Sequence, residues 1–240
     1  MPDSEFAGRF LGVLGGMGPM ASAVFMVRLT ALTDAASDQH HVPAMLWSDP
    51  RIPDRPAGHA GTGADPFPWM LNGVRHIERA GAGVIAIPCN TAHLWYDKLA
   101  ASTSLPVLHI VRSVVADLRR HGIMGGRIGL LGTVPTLNSG LYQHELEAQG
   151  YQCVLLPQSD LLRYCAEAIR LVKVNQVDAA QEPAVHSVQL LRQQGVDAVV
   201  LGCTELPLAV PAQIRPSMGV AVIDSIDALA LAALDWYRDA

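Results

Sequence analysis

Two short segments of this 240-residue chain resemble each other, and they constrain its fold more than any other feature. The first spans Ala86–His93 and the second spans Val200–Pro207. In each segment an apolar run ends at a small residue or proline, and a cysteine follows, Cys89 in the first and Cys203 in the second. Small hydroxyl or amide residues come next. Each segment is therefore typical of a buried strand that delivers a cysteine to the start of a helix.

A second pair of landmarks repeats at nearly the same spacing. Gly12 and Gly129, each inside a short apolar run, are 117 positions apart, and Cys89 and Cys203 are 114 apart. Repetition at one offset predicts two related lobes. We expect a first lobe of residues 1–112 plus 219–240, which carries Cys89, and a second of residues 113–218, which carries Cys203.

Apolar runs alternate with stretches of helical spacing along the whole chain, which predicts two pseudo-symmetric, Rossmann-like α/β lobes with parallel sheets. In such sheets the functional site lies at the carboxyl ends of the strands, so we expect both cysteines on opposite walls of one cleft. The predicted strands are 10–14, 44–47, 83–87, 105–108, 127–131, 151–156, 196–201 and 221–223. The predicted helices are 20–32, 69–81, 91–101, 110–122, 139–150, 161–174, 182–195 and 226–237, and residues 57–68 are predicted to form a loop.

Composition excludes several classes of function. Charged residues make up 16% of the chain, with a net charge of −5 and no basic cluster of the kind that binds nucleic acid. No apolar stretch reaches the roughly 20 residues of a membrane span, and Met1–Arg9 shows no secretory pattern. The four cysteines form no C-x-x-C pair, which disfavours structural zinc. We therefore expect a cytoplasmic protein without a metal.

Two matched cysteines suit one kind of chemistry. A thiol directly before a helix lies at the positive end of the helix dipole, which favours the thiolate. Backbone amides beside each sulfur suit a small carboxylate. One thiolate can remove a proton from one face of a carbon while the other thiol returns a proton to the opposite face, which inverts the centre. Cys153 and Cys165 have no such context and are predicted to be buried packing residues.

Other interpretations stay open for single residues. The turn Gly16-x-Gly18-x-x-Ala21 resembles a dinucleotide fingerprint, but Pro19 removes one amide that a pyrophosphate would use, and a tight turn explains it equally. His93 either braces the Cys89 loop or serves a Cys-His hydrolase, which would leave the second cysteine unexplained. Arg55 is either a solvated surface charge or a binding residue at the start of a functional loop.

Together these residues resemble the aspartate/glutamate racemase family, and its aspartate racemase branch most of all. The resemblance covers Phe10–Asp235 and rests on five segments in family order. They are Leu14–Pro19, Ile52–Arg55, Pro88–His93, Leu131–Thr133 and Gly202–Glu205. The Glu205 of the last segment replaces the histidine usual in glutamate racemases. Pro56 departs from the threonine usual after Ile-Pro-Asp-Arg.

The resemblance implies a cofactor-independent racemase, usually dimeric, that inverts the α-carbon of a small acidic amino acid. It implies that Cys89 and Cys203 are the two acid/base residues. The residues that it implies for substrate binding are Met17, Arg55, Asn90, Thr91, Thr133, Lys173 and Thr204. Arg55 and Lys173 would hold a side-chain carboxylate. No pyridoxal phosphate is implied, because Lys173 lies in a predicted helix without a phosphate cup nearby.

Several alternatives remain from the same superfamily and from a different class. A glutamate or broad-specificity amino-acid racemase, a hydantoin racemase and a maleate isomerase would use similar residues. A decarboxylase of the arylmalonate type needs only one of the two cysteines. A non-catalytic protein that binds dicarboxylates would not require both cysteines to be intact.

Overall fold

The structure, a computed structural model, describes residues 9–239 and falls into two compact units. Unit 1 comprises Met1–His109 with Leu229–Ala240, and unit 2 comprises Ile110–Ala228. The N-terminal segment that lacks a secretory pattern lies outside the described residues, except for Arg9. The expected lobes, residues 1–112 plus 219–240 and residues 113–218, stay a prediction.

Unit 1 is built on a three-stranded parallel sheet in the order β2-β1-β3. Its strands are β1 (Leu11–Gly15), β2 (Ala44–Ser48) and β3 (Val84–Ala86). β1 and β3 are fully buried, as expected for apolar strands covered on both faces. The predicted strand at 105–108 is reduced to one parallel bridge, between Ile85 and Val107.

Unit 2 carries a four-stranded parallel sheet in the order β5-β4-β6-β7. Its strands are β4 (Gly126–Leu131), β5 (Tyr151–Leu155), β6 (Ala198–Leu201) and β7 (Ala221–Asp224). In each unit, the strand that comes first in sequence lies between the second and the third strands of that unit. The prediction of an α/β fold with two parallel sheets is confirmed.

Helices and short helical turns connect the strands. In unit 1 these are α1 (Pro19–Leu32), a 3-10 turn (Asp38–His40), α2 (Arg55–His59), α3 (Phe67–Arg79), a 3-10 turn (Thr91–Trp95) and α4 (Tyr96–Ala100). In unit 2 they are α5 (Ile110–Arg120), α6 (Val134–Asn138), α7 (Leu141–Glu147), α8 (Gln158–Asp160), a π turn (Leu161–Ala166), α9 (Glu167–Lys173), α10 (Val177–Gln193), α11 (Leu206–Ala209) and a 3-10 turn (Arg215–Met218). The last helix is α12 (Ser225–Arg238).

The repeated glycines occupy equivalent places in the two sheets. Gly12 pairs with Ile85 of the neighbouring strand, and Gly129 pairs with Val199. Each glycine also lets a helix approach the sheet closely, because an added Cβ would lie 2.1 Å from Ile77 Cγ2 at position 12 and 2.9 Å from a Leu191 carbon at position 129. The sequence repeat therefore marks the same strand register in each unit.

Two further local predictions are wrong. The predicted loop at 57–68 begins inside α2, which Asp54 caps by accepting a 2.9 Å hydrogen bond from the Ala57 amide. The predicted helix at 139–150 is confined to α7 (Leu141–Glu147), because Gly140 has a φ of +76° and separates α7 from α6, which ends at Asn138. Small local signals decided both cases: an Asp before a proline-containing turn, and a glycine that breaks a helix.

Among residues 9–239, no helix combines the length and apolar character needed to cross a membrane.

Candidate active site

Cys89 lies three residues beyond the end of β3, and its side chain is buried, with 5% exposure. The Cys89 amide donates a 2.7 Å hydrogen bond to the Ile87 carbonyl across Pro88, which turns the chain sharply away from the sheet. The predicted helix at 91–101 begins as the 3-10 turn Thr91–Trp95 and continues as α4. The strand end and this turn hold the thiol in a fixed place.

His93 stabilises the turn that follows Cys89. Its buried imidazole donates a 2.9 Å hydrogen bond from Nδ1 to the Cys89 carbonyl, and its ring stacks on Tyr96 with centroids 5.8 Å apart. Burial, with the nearby His109, lowers the pKa of His93 to about 3, so the imidazole is neutral at physiological pH. Of the two roles left open by the sequence, these contacts favour the brace.

Arg55 is buried, with 7% exposure, at the first position of α2. Its Nη1 donates hydrogen bonds to the Ile52 carbonyl at 3.1 Å and to the Pro53 carbonyl at 3.0 Å. Its Nε is buried and has no hydrogen-bond partner among residues 9–239. Arg55 is therefore not a solvated surface charge, and a buried guanidinium that is only partly satisfied is suited to an anionic ligand.

The remaining candidate residues of unit 1 lie close to Cys89. Met17 shares one buried apolar cluster with Cys89 and Ile52. Asn90 and Thr91, which follow the cysteine, are both buried. α2, which begins with Arg55, packs against the 3-10 turn after Cys89. Unit 1 therefore brings a thiol, a cation and polar side chains into one neighbourhood.

Cys203 occupies the matching place in unit 2, where it is the second residue after β6 and is 4% exposed. Its thiol donates a 2.9 Å hydrogen bond to Glu205 Oε2, and the Thr204 hydroxyl donates to the same oxygen at 3.4 Å. Gly202 permits a tight approach beneath it, since an added Cβ would lie 2.8 Å from the Leu131 carbonyl and 3.0 Å from the Tyr142 ring. The sulfur is thus held between a close-packed strand end and a carboxylate.

The expectation that a helix dipole favours the Cys203 thiolate is wrong. Burial raises the pKa of Cys203 well above its usual value, and the Glu205 carboxylate raises it further through its charge and its hydrogen bond to the thiol. The helix that follows, α11, is only four residues long, so few peptide dipoles add up at its start. The raised pKa therefore keeps Cys203 in its thiol form at neutral pH.

Lys173 and Thr133 complete the candidate residues of unit 2. Lys173 lies at the end of α9, which packs against α11, and its ammonium partly offsets the rise in the Cys203 pKa. Thr133 caps α6: its Oγ1 shares a 2.8 Å hydrogen bond with the Thr136 hydroxyl and accepts one from the Thr136 amide at 3.4 Å. Unit 2 also combines a thiol with a cation and threonine hydroxyls.

The other two cysteines differ from this pair. Cys165 is fully buried in the π turn, where its thiol donates to the Gly132 carbonyl at 3.6 Å, and burial raises its pKa to about 12. Cys153 lies in β5 and is only half-buried, so the prediction of full burial holds for Cys165 alone. Burial, together with Glu147, raises the Cys153 pKa to about 11. Neither sulfur follows a strand end.

One important contact was missed by the sequence analysis. In the sequence Glu205 serves only as a mark of the racemase branch, although its position two residues after Cys203 is a usable signal for a contact with the thiol.

Within the described part of the chain, no group of three or more His, Cys, Asp or Glu side chains could hold a metal ion.

The chain thus combines two parallel α/β units, each with a cysteine just past its third strand. A family model described as Asp/Glu/Hydantoin racemase matches residues 14–233. The chain belongs to this family, and the resemblance deduced from its motifs is confirmed.

Individual relatives differ in the amino acid that they are named for. The solved structure of Picrophilus torridus aspartate racemase has a TM-score of 0.84 and 32% identity, covering 96% of this chain and 95% of that one. The broad specificity amino-acid racemase RacX of Bacillus subtilis (strain 168) is 28% identical over 242 residues, 95% of this chain and 97% of that protein. The glutamate racemase of Aquifex pyrophilus is 27% identical over 174 residues, 71% of this chain and 65% of that protein. The chain is thus an amino-acid racemase of the Asp/Glu racemase family.

Proposed function

We propose that this racemase inverts the α-carbon of a small acidic amino acid, with aspartate as its preferred substrate. Cys89 and Cys203 are the two acid/base residues in this proposal, and no cofactor takes part. The similarity to the Picrophilus torridus aspartate racemase over nearly the whole of both chains supports aspartate.

One observation carries the two-cysteine assignment. Cys89 follows Ile85, the partner of Gly12, by four positions, and Cys203 follows Val199, the partner of Gly129, by four positions. The two thiols therefore occupy the same register at the carboxyl ends of equivalent strands. A packing role would give no reason for this match, whereas a reaction that needs an acid and a base of one kind does.

The charges support an acidic substrate. Arg55 is a buried cation whose Nε lacks a partner among residues 9–239, and Lys173 is an exposed cation close enough to Cys203 to influence its pKa. We assign the side-chain carboxylate of the substrate to these two cations. The α-carboxylate is assigned to the amides and hydroxyls of Asn90, Thr91 and Thr204. A guanidinium binds a carboxylate through paired hydrogen bonds, which selects for geometry as well as charge.

The reaction needs only these side chains. One cysteine, as thiolate, takes the α-proton, and the electron pair of the C–H bond stays on carbon. The other cysteine, as thiol, gives its proton to the opposite face of that carbon and keeps the S–H electron pair. The product has the inverted configuration, and the two cysteines have exchanged protonation states.

A broad-specificity amino-acid racemase is the second candidate. It is favoured by the 28% identity to RacX, which extends over 97% of that protein. Pro56 follows Arg55 in place of the usual threonine, so the segment that presents the arginine differs from that of the aspartate branch. In this case other amino acids would be inverted at rates comparable to that of aspartate.

Exchange of the α-hydrogen in heavy water, followed by proton NMR, tests the proposal. Wild-type protein should exchange the α-hydrogen of aspartate faster than that of glutamate, and faster than that of amino acids with neutral side chains. Similar rates for all of them would instead establish the broad-specificity racemase. If no amino acid exchanges while a hydantoin or maleate reacts, the amino-acid assignment fails.

We further propose a homodimer, on the strength of the family resemblance alone, and a cytoplasmic location. Light scattering coupled to size-exclusion chromatography tests the first. A mass near twice the 25.6 kDa of one chain is expected, and a mass near 25.6 kDa would contradict it.

A further inference from the structure

Glu205 is a buried glutamate placed against the Cys203 thiol. The residue is 4% exposed, and Oε2 accepts the 2.9 Å hydrogen bond from Cys203 Sγ. The Thr204 hydroxyl donates to the same oxygen at 3.4 Å. A carboxylate that receives two hydrogen bonds on one oxygen is fixed in orientation, and its negative charge faces the sulfur.

Other charged and titratable groups also surround Cys203. The Glu205 backbone amide and Lys173, from α9, favour the thiolate, whereas burial and the Glu205 carboxylate favour the thiol. Tyr142, from α7, lies behind Gly202, and burial raises its pKa so that it is a neutral phenol. Asp224, at the end of β7, forms a 2.7 Å ion pair with Arg215, which offsets its charge. Glu205 is therefore the group that most directly opposes ionisation of this sulfur after burial itself.

We propose that Glu205 is a positioning residue for Cys203: its carboxylate accepts the thiol hydrogen bond and holds this cysteine in the protonated form. Cys203 is then the proton donor of the resting enzyme, and Cys89 is the thiolate base. This inference rests on the two-cysteine function proposed above. It gives the two otherwise equivalent thiols different starting states.

The protonated state of Cys203 must be restored after each turnover. When Cys203 gives its proton to the substrate carbon, the S–H electron pair stays on sulfur, and a thiolate is left beside the Glu205 carboxylate. Two adjacent anions in a buried site repel each other strongly. Cys203 therefore takes up a proton again from solvent, and Cys89 releases the one it gained. Glu205 drives this return to the resting state.

The pH dependence of kcat/KM provides one readout. A reaction that needs one thiolate and one thiol has a bell-shaped profile, and the alkaline limb reports loss of the last thiol proton. Replacing Glu205 by glutamine keeps the size of the side chain and removes its charge. We expect the alkaline limb to move to lower pH by about one unit or more, with the acid limb unchanged. Glu205→Asp, which keeps the charge at a longer distance, should lie between the two.

A second readout does not require activity. Alkylation of Cys203 by iodoacetamide, measured by peptide mass spectrometry across a pH series, reports the thiolate fraction directly. We expect the midpoint of alkylation to move to lower pH in Glu205→Gln and by a smaller amount in Glu205→Asp. Cys153, half-buried in β5, is an internal control whose midpoint should not change.

The outcomes separate this inference from the function on which it rests. If wild-type protein exchanges the α-hydrogen but the Cys203 midpoint is the same with and without the carboxylate, the role of Glu205 is overturned and the racemase stands. If the midpoint moves but no amino acid exchanges, the contact between thiol and carboxylate stands and the proposed reaction fails. Should Glu205→Gln not fold, as judged by circular dichroism, an unchanged midpoint in Glu205→Asp would overturn the inference equally.

Discussion

Arg51 and Asp49 form an ion pair through two parallel hydrogen bonds, from Nε to Oδ1 at 2.8 Å and from Nη2 to Oδ2 at 2.9 Å. The pairing lowers the pKa of Asp49. Arg55, four residues later, is the more buried of the two arginines, and its Nη1 binds backbone carbonyls instead. One segment therefore contains an arginine that is paired with a carboxylate and a buried arginine whose Nε has no hydrogen-bond partner among residues 9–239.

Replacing Arg55 by alanine should raise KM for aspartate. A hydrogen bond to a charged group contributes about 1.5 to 3 kcal/mol, so the loss corresponds to roughly a 10- to 100-fold rise. Initial rates over a range of aspartate concentrations measure it. The exposed Arg75, on α3 of the same unit, provides a control, and Arg75→Ala should leave KM unchanged. Equal KM values for wild type and Arg55→Ala would remove Arg55 from the binding site.

Each of the two strand-end cysteines should be essential. Serine is a far weaker acid and base than cysteine near neutral pH, so Cys89→Ser and Cys203→Ser should each lower the racemisation rate by about 10²-fold or more. Polarimetry with L-aspartate and with D-aspartate measures the rate in both directions. Cys153→Ser, in β5, is the matched control and should keep the wild-type rate. Full activity in either strand-end variant would exclude the two-base mechanism.

The two sulfurs should flank one carbon when substrate is bound. In a crystal structure with a small dicarboxylate, each sulfur is expected roughly 3.5 Å from the α-carbon, on opposite faces. Sulfurs too far apart to reach one carbon, in a complex that binds the ligand at Arg55, would contradict the proposed reaction while keeping the proposed binding role.

His93 should make stability fall in mild acid. Its pKa is about 3 in the folded protein, against 6.5 in the unfolded chain, because burial disfavours the charged ring. Between these values the unfolded chain binds a proton that the folded protein does not, so the free energy of unfolding rises with pH across this window. The slope from this group is roughly 1.4 kcal/mol per pH unit. It should be absent below pH 3 and above pH 6.5.

The comparison of wild type with His93→Gln isolates this effect. Glutamine can still donate a hydrogen bond to the Cys89 carbonyl but has no proton to gain in this range. Urea unfolding at several pH values between 4 and 7 should show a steeper pH dependence for the wild type. If wild type and His93→Gln show the same pH dependence of the free energy of unfolding, the imidazole of His93 is not buried in its neutral form.

Gly16 should tolerate no side chain. Its φ is +90°, and an added Cβ would lie 2.4 to 2.5 Å from the backbone of Asp49. Gly16→Ala is expected to lower the free energy of unfolding by more than about 2 kcal/mol, since both strain and a backbone clash oppose it. Gly61→Ala has a similar φ of +70° but no atom within 4 Å, so it should cost only about 1 kcal/mol. Urea denaturation of both variants provides the measurement, and equal losses would contradict the role of the contact.

The turn at Gly16 matches the dinucleotide fingerprint in sequence but packs against the chain itself. The dinucleotide fingerprint depends on glycines that let a pyrophosphate approach the backbone. Here the Asp49 backbone occupies that approach, and the Gly16 amide donates to the Ser22 hydroxyl at 3.0 Å. The glycine pattern alone therefore does not distinguish a nucleotide-binding turn from a turn packed against the chain itself.

The two parallel sheets, the repeat and the position of both cysteines after strand ends can all be predicted from the amino-acid sequence. These features depend on sequence signals, namely apolar runs, turn residues and a nearly equal offset between landmarks, and such signals can be recognised without knowledge of tertiary contacts. The strand register of Gly12 with Ile85 and of Gly129 with Val199 follows the same repeat. The family resemblance rested on these motifs as well.

The electrostatic state of the candidate residues depends on tertiary contacts that the sequence does not reveal. Arg55 is buried because α2 packs on the turn after Cys89, and His59 of that helix contacts Trp95 edge-on at 6.1 Å between ring centroids. Cys203 is a thiol because burial and the Glu205 carboxylate outweigh a four-residue helix. The pKa of a group depends on what surrounds it in space, and the residues that surround it come from distant parts of the chain.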